Sequence, residues 1–98
     1  MEFHVNSTMF GCEDEINRLL EGYPALSKYN PIIKEYQVVY RNQTSVMRGL
    51  FIEVNSLEEL VKLSNEIYKS LIINDNNHVY DMNNKRLNTI EIDDGLWE

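Results

Sequence analysis

The residues best placed to do chemistry lie at the end of the chain, in "IEIDDGLWE" (Ile90 to Glu98). Glu91 and Asp93 stand two apart. On a strand that spacing puts both carboxylates on one face, with Cα atoms about 6.6 Å apart. Asp94, Trp97 and Glu98 follow. A row of carboxylates can imitate phosphates and attract a surface rich in Lys or Arg. A tryptophan beside them is a natural anchor, since Trp dominates many interfaces. The bland alternative is a solvated edge with Trp97 folded back on the core. Carboxylate pairs also serve acid–base catalysis or Mg²⁺ binding. Here no nucleophile or phosphate cradle accompanies them, because Gly11, Gly22, Gly49 and Gly95 are isolated and form no glycine-rich loop.

Other reactive side chains are few. His4 and His78 are the only histidines and Cys12 the only thiol. No spacing suits zinc, and one cysteine allows no internal disulfide. His4 reads as a surface strand residue and Cys12 as a small core residue of the first helix. Lys85-Arg86 reads as a solvated turn. No catalytic residue, metal or cofactor is expected.

The 98 residues suit one domain, 1–98, with enough length to bury a core without metal or disulfides. Sixteen acidic and nine basic side chains give a formal charge of −7. Nucleic-acid affinity comes largely from Lys and Arg neutralising phosphates, so this balance repels DNA and RNA. It favours basic partners and solubility. No stretch approaches the roughly 18 apolar residues of a membrane helix. The opening "MEFHVNSTMFGCEDE" lacks the basic start and apolar run of a signal peptide, so a cytoplasmic location is expected.

Periodicity places these residues on elements. Residues 2–6 alternate as a strand with Phe3 and Val5 on one face. A helix follows within 9–21, with Gly22 just beyond it. "PALSKYNP" is a turn or short helical connection. Residues 32–40 form a strand, 41–45 a hairpin loop and 46–54 the returning strand. Ser56 and Glu59 form a capping box that opens a second helix, running to about Lys69. Leu57, Leu60, Val61, Ser64, Ile67, Tyr68 and Leu71 form its inner stripe. Tyr23, Tyr36, Tyr40 and Tyr68 sit at core-like spacing. "SLIIN" is a short strand or a helix exit, and "VYDMNNKRLNTIEID" is a hairpin turning at Asn83-Asn84. The order predicts an α+β, ferredoxin-like βαββαβ fold. It would have an antiparallel sheet, two helices on one face, and an extra C-terminal strand or hairpin.

"RGLFIEV" (Arg48 to Val54) resembles the third strand of an RNA-recognition domain, where a basic residue and a glycine precede aromatics that stack on bases. The stacking positions here hold Leu50 and Ile52, and that register would bury Glu53 unpaired. The opposite register turns Leu50, Ile52 and Val54 toward the helices. The open face then carries His4, Phe51, Glu53, Glu91 and Asp93, which is acidic. The scaffold is expected without direct nucleic-acid binding.

"IEIDDGLWE" and "FIEVNSLEELVKLSNEIY" are also similar to segments of small acidic proteins encoded by phages and mobile elements of low-GC Gram-positive bacteria, some of them anti-CRISPR inhibitors. The resemblance implies a non-enzymatic inhibitor whose acidic residues occupy the basic nucleic-acid channel of an RNA-guided nuclease or another host enzyme. Glu53, Glu91, Asp93, Asp94, Trp97 and Glu98 are the expected contact residues. The rival expectation is a structural or regulatory module that forms a homodimer, with Phe51 buried at a two-fold contact.

Overall fold

The computed structural model describes residues 1–7, 15–74 and 78–93. Among them the chain forms β1 (Glu2–Ser7), α1 (Glu15–Gly22), β2 (Ile32–Tyr40), β3 (Gln43–Glu53), α2 (Leu57–Ile67), β4 (Ser70–Ile73), β5 (Val79–Tyr80) and β6 (Thr89–Asp93). A short 3-10 helix at Pro24–Tyr29 follows α1. Cys12 and the first half of the expected first helix lie outside the described residues, and Gly22 is the last residue of α1 rather than the one beyond it.

The strands make one mixed sheet in the order β4-β6-β1-β3-β2-β5. β3 runs antiparallel to both β1 and β2, whereas β6 runs parallel to β1 and antiparallel to β4. This corrects the expected ferredoxin-like βαββαβ plan. There the strand entered from the second helix lies antiparallel beside the first strand. Here β6 occupies that slot in the parallel sense and β4 is displaced to the edge. Burial explains the exchange. The slot beside β1 is deep, and β6 brings Ile90 and Ile92, both fully buried. β4 offers only Leu71 as a packed residue, with Ile72 and Ile73 exposed.

The sheet also curls. Asn74 extends the β4 ladder and His78 extends that of β5. Four Cα steps between them reach at most about 14 Å. Five gaps of a flat sheet would span about 24 Å.

Alternation splits the apolar residues between two faces. Phe3, Val5, Leu50, Ile52, Ile90 and Ile92 turn toward the helices and join Leu19, Leu26, Leu60, Leu63 and Ile67 in the main core. The other face holds a second cluster of Tyr36, Phe51 and Val79, with Val38 and Leu87 packed against it. Its cover is the hairpin 79–87. Asp81 holds the turn, its Oδ1 accepting the N–H groups of Asn83 at 2.8 Å and Lys85 at 2.9 Å. Asn84 takes the left-handed backbone that tight turns need.

The β2–β3 hairpin is tighter than expected. Tyr40 pairs with Gln43, so the loop is Arg41-Asn42 alone and β3 begins at Gln43. Both loop residues have positive φ, the mark of a type I′ turn.

Helix α2 is capped at both ends. Ser56 Oγ accepts the Glu59 N–H at 3.4 Å, while the Glu59 carboxylate accepts the Asn55 N–H at 2.8 Å. At the other end Tyr68 is left-handed; its N–H donates to Asn65 O and that of Lys69 to Ser64 O. This is a Schellman closure. The reversal throws the Tyr68 ring into solvent, 91% exposed, so Tyr68 leaves the expected stripe. Leu57 and Val61 are exposed too. The buried stripe is Leu60, Leu63 and Ile67. Among the aromatic residues expected inside, Tyr36 is buried and Tyr40 is exposed. Among the described residues no helix is long and apolar enough to cross a membrane.

Candidate functional site

Of the expected contact residues, Glu53 and Glu91 stand apart. Glu53 ends β3 opposite Glu2, and Glu91 lies in β6 opposite Asn6. They are four residues apart along β1 and two strand gaps apart across it. That separates them by about 16 Å. Each carboxylate also has local work. Glu53 Oε1 takes the N-terminal amine at 3.1 Å, and the same amine binds Val54 O. Glu91 Oε1, half-buried, accepts from Asn74 Nδ2 at 3.0 Å and Asn6 Nδ2 at 3.5 Å. Two amides from the flanking elements therefore hold Glu91, which ties β6 to its neighbours. Asp93 closes β6 opposite Ser70. Asp94, Trp97 and Glu98 lie outside the described residues.

The face expected to be open and acidic is instead partly roofed. His4 and Phe51 point away from the helices, as alternation demands, but both are buried. The His4 ring lies 4.4 Å from that of Tyr36 and 5.2 Å from that of Phe51, centroid to centroid. Lys34 Nζ sits 4.4 Å over the Phe51 ring and binds Glu2 at 2.6 Å. Phe51 therefore offers no ring for a two-fold contact, which corrects the use the homodimer expectation made of it, and His4 moves from surface to interior.

Gly49 gains a packing role here. A Cβ at Gly49 would stand 2.7 Å from Tyr36 Cε1 and 2.9 Å from His4 Nε2, so only glycine lets the two rings lie over β3. Across β1–β6, His4 Nδ1 and Thr89 Oγ1 are buried with no hydrogen-bond partner among the described residues. Burial without a partner pushes the His4 imidazole down from 6.5 to about 4.

Charge is distributed unevenly. Residues 1–17 and 87–98 carry four acidic side chains each and no Lys or Arg, whereas residues 18–86 carry nine basic and eight acidic ones. The two acidic stretches contain β1 and β6. β1 and β6 are parallel neighbours, with Ser7 opposite Ile92.

Two features escaped the sequence. One is the second cluster, whose signal was the apolar alternation Tyr36, Val38 beside Phe51. The other is a groove between α2 and β4, lined by Leu57, Leu60, Val61, Ser64, Leu71 and Ile73. Among the described residues no group of three His, Cys, Asp or Glu side chains is placed to hold a metal ion. No protein-family model, curated protein or solved structure matches this chain.

Proposed function

We propose that this chain is a non-enzymatic binding protein that docks through its acidic C-terminal end onto a basic protein surface. The segregation of charge supports this reading best. Residues 87–98 carry four acidic side chains and no Lys or Arg, and so do residues 1–17, while residues 18–86 are close to balance with nine basic and eight acidic ones. A charge excess spread only for solubility would not need to be so confined. Carboxylates closely spaced along a chain present the pattern that Lys- and Arg-rich nucleic-acid channels recognise, and they raise association rates toward such surfaces. The finer reading is an inhibitor of the anti-CRISPR kind, occupying the nucleic-acid channel of an RNA-guided nuclease. Asp93, Asp94, Trp97 and Glu98 would then carry the contact. Glu91 would act by holding β6 in place, and Glu53 would stand outside the interface.

The test is titration of the full chain into a DNA-cleavage reaction of an RNA-guided nuclease from a low-GC Gram-positive host, with binding followed over rising salt. Inhibition that weakens as salt rises supports the reading. So does loss of at least about tenfold in affinity for Asp93→Lys with Asp94→Lys. Full activity of the double reversal, or salt-insensitive binding, overturns the acidic docking mode. Absence of inhibition removes the nuclease as partner.

A further inference from the structure

We propose that two copies of this chain pair through β4, each adding its edge strand to the other's sheet and filling the groove beside the other's α2. The groove holds about 230 Å³ between helix and edge strand.

The backbone of β4 asks for a strand. β4 ends the sheet. Asn74 N donates to Thr89 O at 2.9 Å, which marks Asn74 as a bonded position of the antiparallel ladder. Bonded positions alternate. Leu71 and Ile73 therefore turn their N–H and C=O groups away from β6, where no described residue meets them. Sheets normally blunt such an edge with charge, proline or a bulge. Ser70–Ile73 has none of these, and Ile72 and Ile73 are 49% and 46% exposed.

The helix flank asks for apolar side chains at the same place. Leu57 and Val61, one turn apart on α2, are 55% and 61% exposed and line the groove. They form a second apolar stripe beside the one buried in the core. The occupant must then be an extended strand with apolar residues at alternate positions facing the helix layer. β4 is itself such a strand. Leu71 and Ile73 pair with Ile92 and Ile90, which lie in the helix-side core. A two-fold axis beside β4 makes donor and acceptor identical, the self-complementary contact that closed dimers require. The helix surface beside Leu57 and Val61 carries one charge of each sign, Glu58 and Lys62.

This pairing goes beyond the acidic docking and uses none of its residues. Salt separates the two. Apolar association of two chains of −7 strengthens as their repulsion is screened, whereas docking to a basic partner weakens.

Sedimentation equilibrium of the full chain, from low to high micromolar concentration and at two salt levels, is the first measurement. The expected mass rises from 11.6 kDa toward twice that value, further at high salt. Val61→Glu and Ile73→Lys, both at exposed positions, should each raise the dissociation constant by at least about tenfold. Their circular dichroism should stay unchanged. Hydrogen exchange of the unaltered chain is the second measurement, and it holds even if a variant misfolds. The Leu71 and Ile73 amides should gain protection as concentration rises. A monomer at every concentration, or variants that pair as tightly as the parent, would overturn the proposal. Protection of those two amides at full dilution would also overturn it, because a segment of the same chain would already occupy the edge.

Discussion

His4 shows what a single residue can and cannot reveal from its neighbours in sequence. Alternation from Glu2 to Asn6 sets the direction of its side chain, away from the helices. It says nothing of what covers that direction. The cover comes from residues more than seventy positions later, where Val79 and Leu87 close over Tyr36 and Phe51. The result is an imidazole 5% exposed, tilted against two rings, with Nδ1 unpartnered among the described residues. Its folded-state value near 4 lies below the unfolded 6.5. Between those values the unfolded chain binds a proton that the folded chain does not. Stability therefore has its full His4 contribution above pH 6.5, falls as pH drops toward 4, and loses about 3 kcal/mol over that window. Urea unfolding of the parent and of His4→Phe at several pH values checks this. The difference between their slopes isolates the imidazole from the carboxylates. Parallel stability curves would mean that His4 is not buried as a neutral ring.

At the scale of elements, α2 was legible at one end only. Ser56-Leu57-Glu58-Glu59 states its cap in four letters, because the bonds are local. The C-terminus has no such text. The usual signal is glycine, and here Tyr68 takes the left-handed conformation that glycine adopts without steric cost. A periodic pattern read through Tyr68 into Leu71 therefore overran the true end at Ile67. Tyr68→Gly should stabilise the protein by about 0.5–1 kcal/mol, since the ring makes little packing contact and the backbone strain is relieved. Thermal unfolding measures it, and a lower melting temperature would show that the exposed ring contributes more than its conformation costs. The strand order was illegible for another reason. β4 and β6 are both short and apolar in alternation, so their local patterns are interchangeable. Only the competition for the slot beside β1 separates them, and Ile90 with Ile92 wins it through burial that sequence alone does not rank. The register of β3 was legible because a one-residue slip would bury Glu53.

For the molecule as a whole, charge and topology meet in the β1–β6 pair. The parallel partners β1 and β6 belong to the two stretches, 1–17 and 87–98, that carry four acidic side chains each and no Lys or Arg. The composition announced the excess. The like charges of a chain of −7 repel in the folded state more than in an expanded one, and salt screens that repulsion over about 10 Å at moderate ionic strength. In dilute solution, where pairing of copies is negligible, stability should rise with added salt by on the order of 1 kcal/mol. Replacing Asp93 and Asp94 by Asn and Glu98 by Gln takes the formal charge from −7 to −4 and should reduce that rise. Urea midpoints at low and high salt decide the matter. An unchanged salt response in the neutralised variant would place the repulsion elsewhere in the fold and would also weaken the case for a concentrated acidic docking end.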